Sequence, residues 1–515
     1  MFSFIKKHFD LIGYIALAIF FVILNYNLYI NMDLLIDSDM ASEMLYSKLL
    51  IENKNILLTN WYYSTVIEGL DIPLVFAPLF LLTNNWHTVR IVGIIVLDVL
   101  LYLSFYYVCK QLDIKHIPWL AFLIIGSISN EYFDFVIKGS YYIPYIVVSF
   151  IVLGLIFSLS KEQKQHKYVV LIVLSILSGI SGLRQIAQCF ACLFGTSVIV
   201  YIIYEYKNIL KKEINTKKQT FLIMKSSLIC MFSSFIGYLL NILVISKHYS
   251  FKSDWGIEIE LSSLQRLKDI VYGWTTVFGY ETNIIWTKII TILIILFVAF
   301  VFIKAIKRCK NNINLTYVLI LSLVSTLLIT GIFIFTNMNL QIRYFIQVIV
   351  YYVLLIGLCL NEIPFKIKNI FFILITIVVL VCTNYQLVKD VNNSTNNELI
   401  EIKDILLENE SFEGYGSFWN ANVMTELSDG KIDVWNFHNY EDDDEVDLNN
   451  LDKWLQKKEH FERTPKGKVF VIFTQAQNEK VNFERTMSEY IKYQGINRIL
   501  YIFDDYNELY KNIIQ

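Results

Sequence analysis

The sequence predicts a mainly α, polytopic transmembrane helical bundle followed by a small α/β domain at the C-terminal end. Three observations predict it. Hydrophobic residues make up 55% of the 515 positions and charged residues only 17%, against roughly 25% charged in soluble domains. Apolar runs of about 18 or more residues recur through the first three quarters, each long enough to cross a bilayer as a helix. After residue 390 the pattern changes to short strand-like and helix-like segments. The net charge of −2, with no basic tail and no binding motif, gives no sign of a nucleic-acid partner. The seven cysteines all lie in or beside apolar segments, and none follows Cys382, so the C-terminal part is not stapled by disulfides. Cys189 and Cys192 sit in an apolar run and read as packing residues.

The elements follow in order. Lys6 and Lys7 precede a first apolar helix at 11–30. It has no small-residue cleavage site and reads as a retained helix. A polar segment, 31–70, follows. Residues 71–83 contain Pro73 and Pro78 and are too short and broken to span, so they read as a re-entrant or interfacial hairpin. Further helices are expected at 88–109, 117–130, 142–160, 168–183, 187–204, 221–246, 287–303, 315–336, 343–361 and 369–387, for about eleven spans in all. With the N-terminus inside, the inner loops carry more than twice the lysines and arginines of the outer loops over a smaller length. The outer loops are then 31–87, 131–141 and 247–286, together with the short 337–342. An odd span count places the C-terminal domain outside as well, as in a multi-pass protein of the cell membrane with a cytoplasmic N-terminus. The division is therefore a transmembrane domain, 1–390, and an extracytoplasmic α/β domain, 391–515. The latter opens on a polar linker, Asn392 to Asn397. Strands are expected at 469–473 and 498–503, helices near 448–460 and 482–493, and an acidic turn over 441–447.

Chemistry concentrates in the first outer loop. Asp37, Asp39 and Glu43 lie within seven residues, and Asp39 and Glu43 share one face of a helix. One reading makes them the acid end of an active site at the membrane surface. The other makes Asp37 or Ser38 a helix cap, with acids favoured in the first turn. The topology brings further polar residues to the same surface: Glu68, Asp71, His87, Arg90, Glu131, Asp134, Lys138, Arg184 and Arg343-Tyr344. Ionisable groups beside spans are costly and so are functional candidates. Carboxylates can take the proton of an acceptor hydroxyl. Arginines can hold a phosphate with bidentate geometry. The implied substrate has its phosphate at the membrane surface and its apolar part in the bilayer. Plainer roles stand beside these: snorkelling for the arginines, a loop position for Lys138, an interfacial position for His87, and an aromatic belt for Trp61, Tyr62 and Tyr63. The run Asp442 to Glu445 lacks calcium-loop spacing.

In order, these features resemble the polytopic GT-C glycosyltransferases, which use lipid-linked sugar donors. The resembling pieces are an inside N-terminus and one span, then Asp37-Ser38-Asp39. Asn84 to Arg90 then form a polar turn ending in an arginine. Glu131 and Asp134 follow in a second outer loop, Arg343-Tyr344 at the start of a late span, and an outer domain at the end. The resemblance implies transfer of a sugar from a polyprenyl-phosphate donor to a hydroxyl of a glycan or protein acceptor. It implies Asp39 or Asp37 as general base with Glu131 beside it. It implies Arg343 on the lipid phosphate; the shared outer surface adds Arg184 beside it, with Tyr344, Lys138, Glu68 and His87 as candidates for the substrate site. The family's adjacent Asp-Glu pair is absent, since Met40 follows Asp39, so the choice between Asp37 and Asp39 stays open. No cofactor is required, although Asp37 and Asp39, with Glu131, offer hard oxygen ligands suited to Mg²⁺ or Mn²⁺. The rival readings are a polysaccharide polymerase or ligase, and a non-enzymatic glycan or lipid transport component. Asp98 is the one acid deep in an expected span, and no repeated halves are visible, which weighs against transport.

Overall fold

The computed structural model describes residues 2–514 apart from 66, 68, 212–213, 252–262, 310–311, 439–445 and 482–486. Among the described residues, nine helices are long and apolar enough to cross a membrane: His8–Leu35, Trp86–Gln111, Ile143–Lys161, Leu183–Tyr206, Lys217–His248, Ile285–Arg308, Ile313–Phe335, Ile342–Asn361 and Phe365–Asn393. Two of the expected segments have a different form. The one at 117–130 is a pair of short helices, Ile117–Ile125 and Asn130–Lys138, bent by 90°. Gly126 turns the chain to an extended conformation, and Ser129 caps the second helix by accepting from the Tyr132 amide. The Ser127 amide in the bend donates to Thr383 of the last span, 2.8 Å away. The one at 168–183 is the 16-residue helix Gln165–Ile180. Residues 71–83 contain one seven-residue helix, Pro73–Leu79, rather than a hairpin. Pro73 starts it, because a proline is tolerated in the first turn. Leu74 in this helix and Leu81 and Leu82 just after it are exposed, as an interfacial segment requires.

Beyond the last span, the Asn396–Glu408 helix leads into a five-stranded sheet. Its order is Asp433–Phe437, Glu413–Ser417, Val469–Thr474, Arg498–Phe503, Ile491–Gln494. The first three strands run parallel and the last two join antiparallel. Val469 to Phe473 are wholly buried, which explains why this strand reads as an unbroken apolar run. The helix expected near 448–460 is absent. Gln456 and Lys457 form a short strand instead, and only a 3₁₀ turn, Lys458–Phe461, follows. Pairing outweighs helical propensity there: Gln456 is buried and its side-chain oxygen accepts the Asn436 amide, while the Lys458 amide donates to the Asn60 carbonyl at 2.9 Å. The helix expected at 482–493 gives way to the Ile491–Gln494 strand at its end, while 482–486 lie outside the described residues, as do 441–445 of the acidic turn.

A second, three-stranded sheet ties the loops together. Trp61–Tyr63 pairs in parallel with Ser250–Phe251 and antiparallel with Gln456–Lys457. The first loop, the 247–286 loop and the C-terminal module therefore meet at one end of the bundle, hereafter the module end.

The junction is polar and buried. The Ser38–Glu52 helix packs against the Phe418–Leu427 helix of the module. Ser38 Oγ donates to the Phe418 carbonyl at 2.6 Å, and Asn422 Nδ2 donates to Ser42 Oγ at 2.7 Å. Arg90, in the second turn of the Trp86–Gln111 helix, donates to both carboxylate oxygens of Glu426 and to the Met40 carbonyl. The Trp86 amide donates to Asp429 Oδ1 at 2.8 Å. Gly430 follows at φ +76°, where a side chain would lie 2.8 Å from the Trp86 ring, so the turn needs glycine. Side chains of Arg90 and Glu426 are each 2% exposed, and removing one partner leaves the other charge buried alone. Glu426→Ala is expected to lower unfolding stability by about 3–5 kcal/mol, while Arg90→Met combined with Glu426→Leu recovers most of it. Thermal unfolding of the detergent-solubilised protein measures both; equal losses in the single and double variants would contradict this account.

Candidate active site

The acid helix begins at Ser38, and Asp37 is its N-cap, with extended backbone and Oδ1 accepting the Met40 amide at 2.8 Å. The same oxygen accepts the hydroxyl of Tyr141 at 2.9 Å. The capping reading therefore holds for Asp37. Asp39 is not a cap. It lies in the first turn, half-buried, beside Asp37 and Arg343. Burial pushes its carboxyl up to about 6; the Asp37 charge adds to the rise and the Arg343 guanidinium opposes it. A carboxylate so placed is a usable proton acceptor near neutral pH.

Arg343 is in the 3₁₀ turn Ile342–Phe345 that opens the Ile346–Asn361 helix. Its charge acts on both Asp39 and Glu131, the latter in the first turn of Asn130–Tyr132. The guanidinium lies 5.0 Å from the Phe135 ring centroid. Its Nε is buried without a hydrogen-bond partner among the described residues, so the group keeps a donor to offer an anion. Arg184 is in the first turn of the Leu183–Tyr206 span. Its guanidinium sits over three tyrosine rings, at 4.1 Å from Tyr145, 5.0 Å from Tyr142 and 5.6 Å from Tyr344. Tyr344 thus follows Arg343 in sequence and touches Arg184 in space. Asp37, Asp39, Glu131, Arg184, Arg343 and Tyr344 come to one region at the module end, built from four separate parts of the chain.

Other expected site residues are engaged elsewhere. Lys138 pairs with Asp134 at 2.8 Å and Asp390 at 2.9 Å, which neutralise it where the bent segment meets the last span. His87 Nδ1 is 3.0 Å from Asp33 Oδ1, between the first and second spans. Glu68 lies outside the described residues. Among the described residues, no three His, Cys, Asp or Glu side chains converge as a metal site would require. Asp37 Oδ1 is taken by its cap and by Tyr141, which leaves Asp37 Oδ2 and the Asp39 carboxylate as the oxygens this pair could offer a cation.

Two contributors lay outside the sequence expectation. Tyr141 positions Asp37; its place in an acid-bearing loop was a signal. The partner of Arg90, Glu426, lies 336 residues away and had none.

At the level of sequence, no family model and no curated protein matches the chain. Solved structures do. The structure of ArnT from Cupriavidus metallidurans bound to undecaprenyl phosphate aligns with a TM-score of 0.54 at 10% identity, over 94% of this chain and 97% of that one. Its apo state aligns at 0.52 with the same identity and coverage. The Archaeoglobus fulgidus oligosaccharyltransferase tethered with an acceptor peptide aligns at 0.46 and 11% identity, over 84% of this chain and 64% of that one. The chain has a GT-C-type fold and is a multi-pass membrane protein.

The ion cluster around Lys138 makes a distinct prediction. Lys138→Met strands two neighbouring carboxylates and is expected to lower the melting temperature. A variant that melts normally but loses lipid-phosphate binding would return Lys138 to the substrate site.

Proposed function

We propose that the chain is a membrane glycosyltransferase that moves a sugar from a polyprenyl-phosphate donor to an acceptor hydroxyl. The observation that carries this reading is that the Arg343 charge acts on both Asp39 and Glu131, two acids from separate parts of the chain. The same arrangement puts a proton acceptor in the field of a cation whose Nε has no hydrogen-bond partner among the described residues. The fold shared with an ArnT solved with undecaprenyl phosphate supports a lipid-phosphate donor. The charge bias of the loops supports a cytoplasmic N-terminus and an extracytoplasmic module end.

In the proposed reaction Asp39 takes the acceptor's hydroxyl proton. The acceptor oxygen bonds to the anomeric carbon, and the bond from that carbon to the donor phosphate breaks. The electron pair leaves with the phosphate, whose negative charge Arg343 and Arg184 stabilise. Glu131 shares the field of Arg343 and helps hold it in place. Tyr141 fixes Asp37, whose charge sits beside Asp39 and raises its basicity. No step runs through a metal, and turnover is expected to survive dialysis against EDTA. Loss that Mg²⁺ or Mn²⁺ restores would bring the Asp37–Asp39 cation proposal back.

Asp39→Asn is expected to abolish transfer while donor still binds, and Arg343→Ala to weaken donor binding. Turnover of a short-chain polyprenyl-phosphate sugar panel by purified protein tests both. Full transfer by a folded Asp39→Asn would sink the reading. The pH profile adds a separate check. Asp39 must be ionised to act, so kcat/KM rises with pH through a limb at about 6. Asp37→Asn keeps a good cap but removes the like charge, and the limb is expected to move to lower pH.

A further inference from the structure

Aromatic rings mount Arg343 at both ends. At the backbone end, Phe345 is fully buried and packs on Trp274, with centroids 4.3 Å apart, and on Phe333 at 5.8 Å. These contacts fix the 3₁₀ turn Ile342–Phe345. At the charged end, the guanidinium lies over the half-buried Phe135 ring, 5.0 Å from its centroid.

A ring is a particular kind of mounting. A carboxylate holds a guanidinium by taking its N–H edge in a bidentate pair. A phenyl face attracts the same cation through its quadrupole and takes no N–H donor. The Arg343 Nε has no hydrogen-bond partner among the described residues, as that mounting allows. An arginine held this way keeps its place and its donors.

Phe135 touches two further parts of the site. Its ring centroid is 6.0 Å from that of Tyr141, whose hydroxyl donates to Asp37. It is 5.8 Å from that of Tyr142, over which Arg184 also lies. The Phe135 carbonyl accepts the Tyr142 amide at 3.0 Å, which ties the π turn Phe133–Lys138 to the start of the next span. The bent segment that supplies Glu131 therefore also supplies the ring under Arg343.

We infer that Phe135 is a positioning residue: its ring seats the Arg343 guanidinium and leaves the N–H donors to the donor phosphate. The phosphate as ligand rests on the glycosyltransferase reading, whereas the seating does not.

The test uses the full-length protein in nanodiscs. Phe135→Leu keeps apolar bulk and loses the ring; Phe135→Tyr keeps the ring. Should Phe135→Leu fail to fold, Phe135→Met replaces it. NMR with isotope-labelled arginine follows the Arg343 Nε–H signal, assigned by its loss in Arg343→Lys. A ring face shifts the signal of a proton above it, so Phe135→Leu is expected to remove that shift and Phe135→Tyr to keep it. Binding of a short-chain polyprenyl phosphate without sugar is expected to weaken about two- to thirtyfold in Phe135→Leu and to be restored in Phe135→Tyr. Turnover gives a third readout. Arg343 opposes the rise of the Asp39 carboxyl, so an unseated Arg343 moves the kcat/KM limb from about 6 to higher pH. A merely structural role would lower kcat and leave the limb in place. An Arg343 signal unchanged by Phe135→Leu would overturn the inference. So would undiminished phosphate binding in Phe135→Leu, or equal loss of binding in Phe135→Leu and Phe135→Tyr. A shifted signal without any polyprenyl phosphate binding by wild type would reject the lipid-phosphate donor and keep the seating.

Discussion

The guanidinium of Arg90 is the constraint on which the module end depends. Its side chain is 2% exposed, and a charge so deep is tolerated only when it is paired and hydrogen-bonded. Two of its partners are the oxygens of Glu426, from the module, and one is the carbonyl of Met40, from the acid helix. A single side chain from the second span therefore sets where the acid helix begins and where the module sits. Replacement by an apolar residue would remove three hydrogen bonds across two interfaces at once. The surrounding polar contacts, Ser38 to Phe418, Asn422 to Ser42 and Trp86 to Asp429, are short-range and fix the same registration.

That registration makes the site a product of long-range packing. Asp39 comes from the first loop, Glu131 from the bent segment, Arg184 from the first turn of the Leu183–Tyr206 span and Arg343 from the start of a late span. None of these elements positions another by local sequence. The breaks in helical structure fall beside them: the 90° bend before Asn130, the π turn Phe133–Lys138 and the 3₁₀ turn Ile342–Phe345. Irregular backbone at membrane depth must be buried in protein or line a polar space. Here it carries the ionisable groups to that space, and it is stabilised by side-chain bonds such as Ser129 to Tyr132 and Ser127 to Thr383.

The bundle was legible in the sequence because bilayer crossing imposes one strong rule, a long apolar run. The site was legible in part for the same reason, since carboxylates and arginines next to such runs stand out. Asp39, Glu131, Arg184 and Arg343 were found that way and do converge. Lys138 and His87 stood out equally and are paired with Asp134, Asp390 and Asp33 instead; cost of burial flags an ionisable group but does not say what relieves it. The segments that misread were those decided by pairing. Gln456 and Lys457 look helical and become a strand because Trp61 and Tyr62 are opposite them. The bend after Gly126 is held at Ser127 by Thr383, 256 residues on. Such partners leave no local trace.

The two first-loop acids were indistinguishable by spacing, and the geometry gives them different surroundings. Asp37 Oδ1 accepts two hydrogen bonds, from the Met40 amide and the Tyr141 hydroxyl. Protonating Asp37 would weaken both, at the start of the helix that carries its neighbour. An N-cap contributes about 0.5–2 kcal/mol, and a base that surrendered its cap in every cycle would loosen the helix as it worked. Asp39 bears no such duty, and burial with a like charge beside it makes the proton easier to accept. Arg343 limits that effect, so the carboxyl stays ionised near neutral pH rather than standing protonated. In the proposed reaction the two aspartates thus divide the work by location: Asp37 holds the helix and supplies charge, and Asp39 moves the proton.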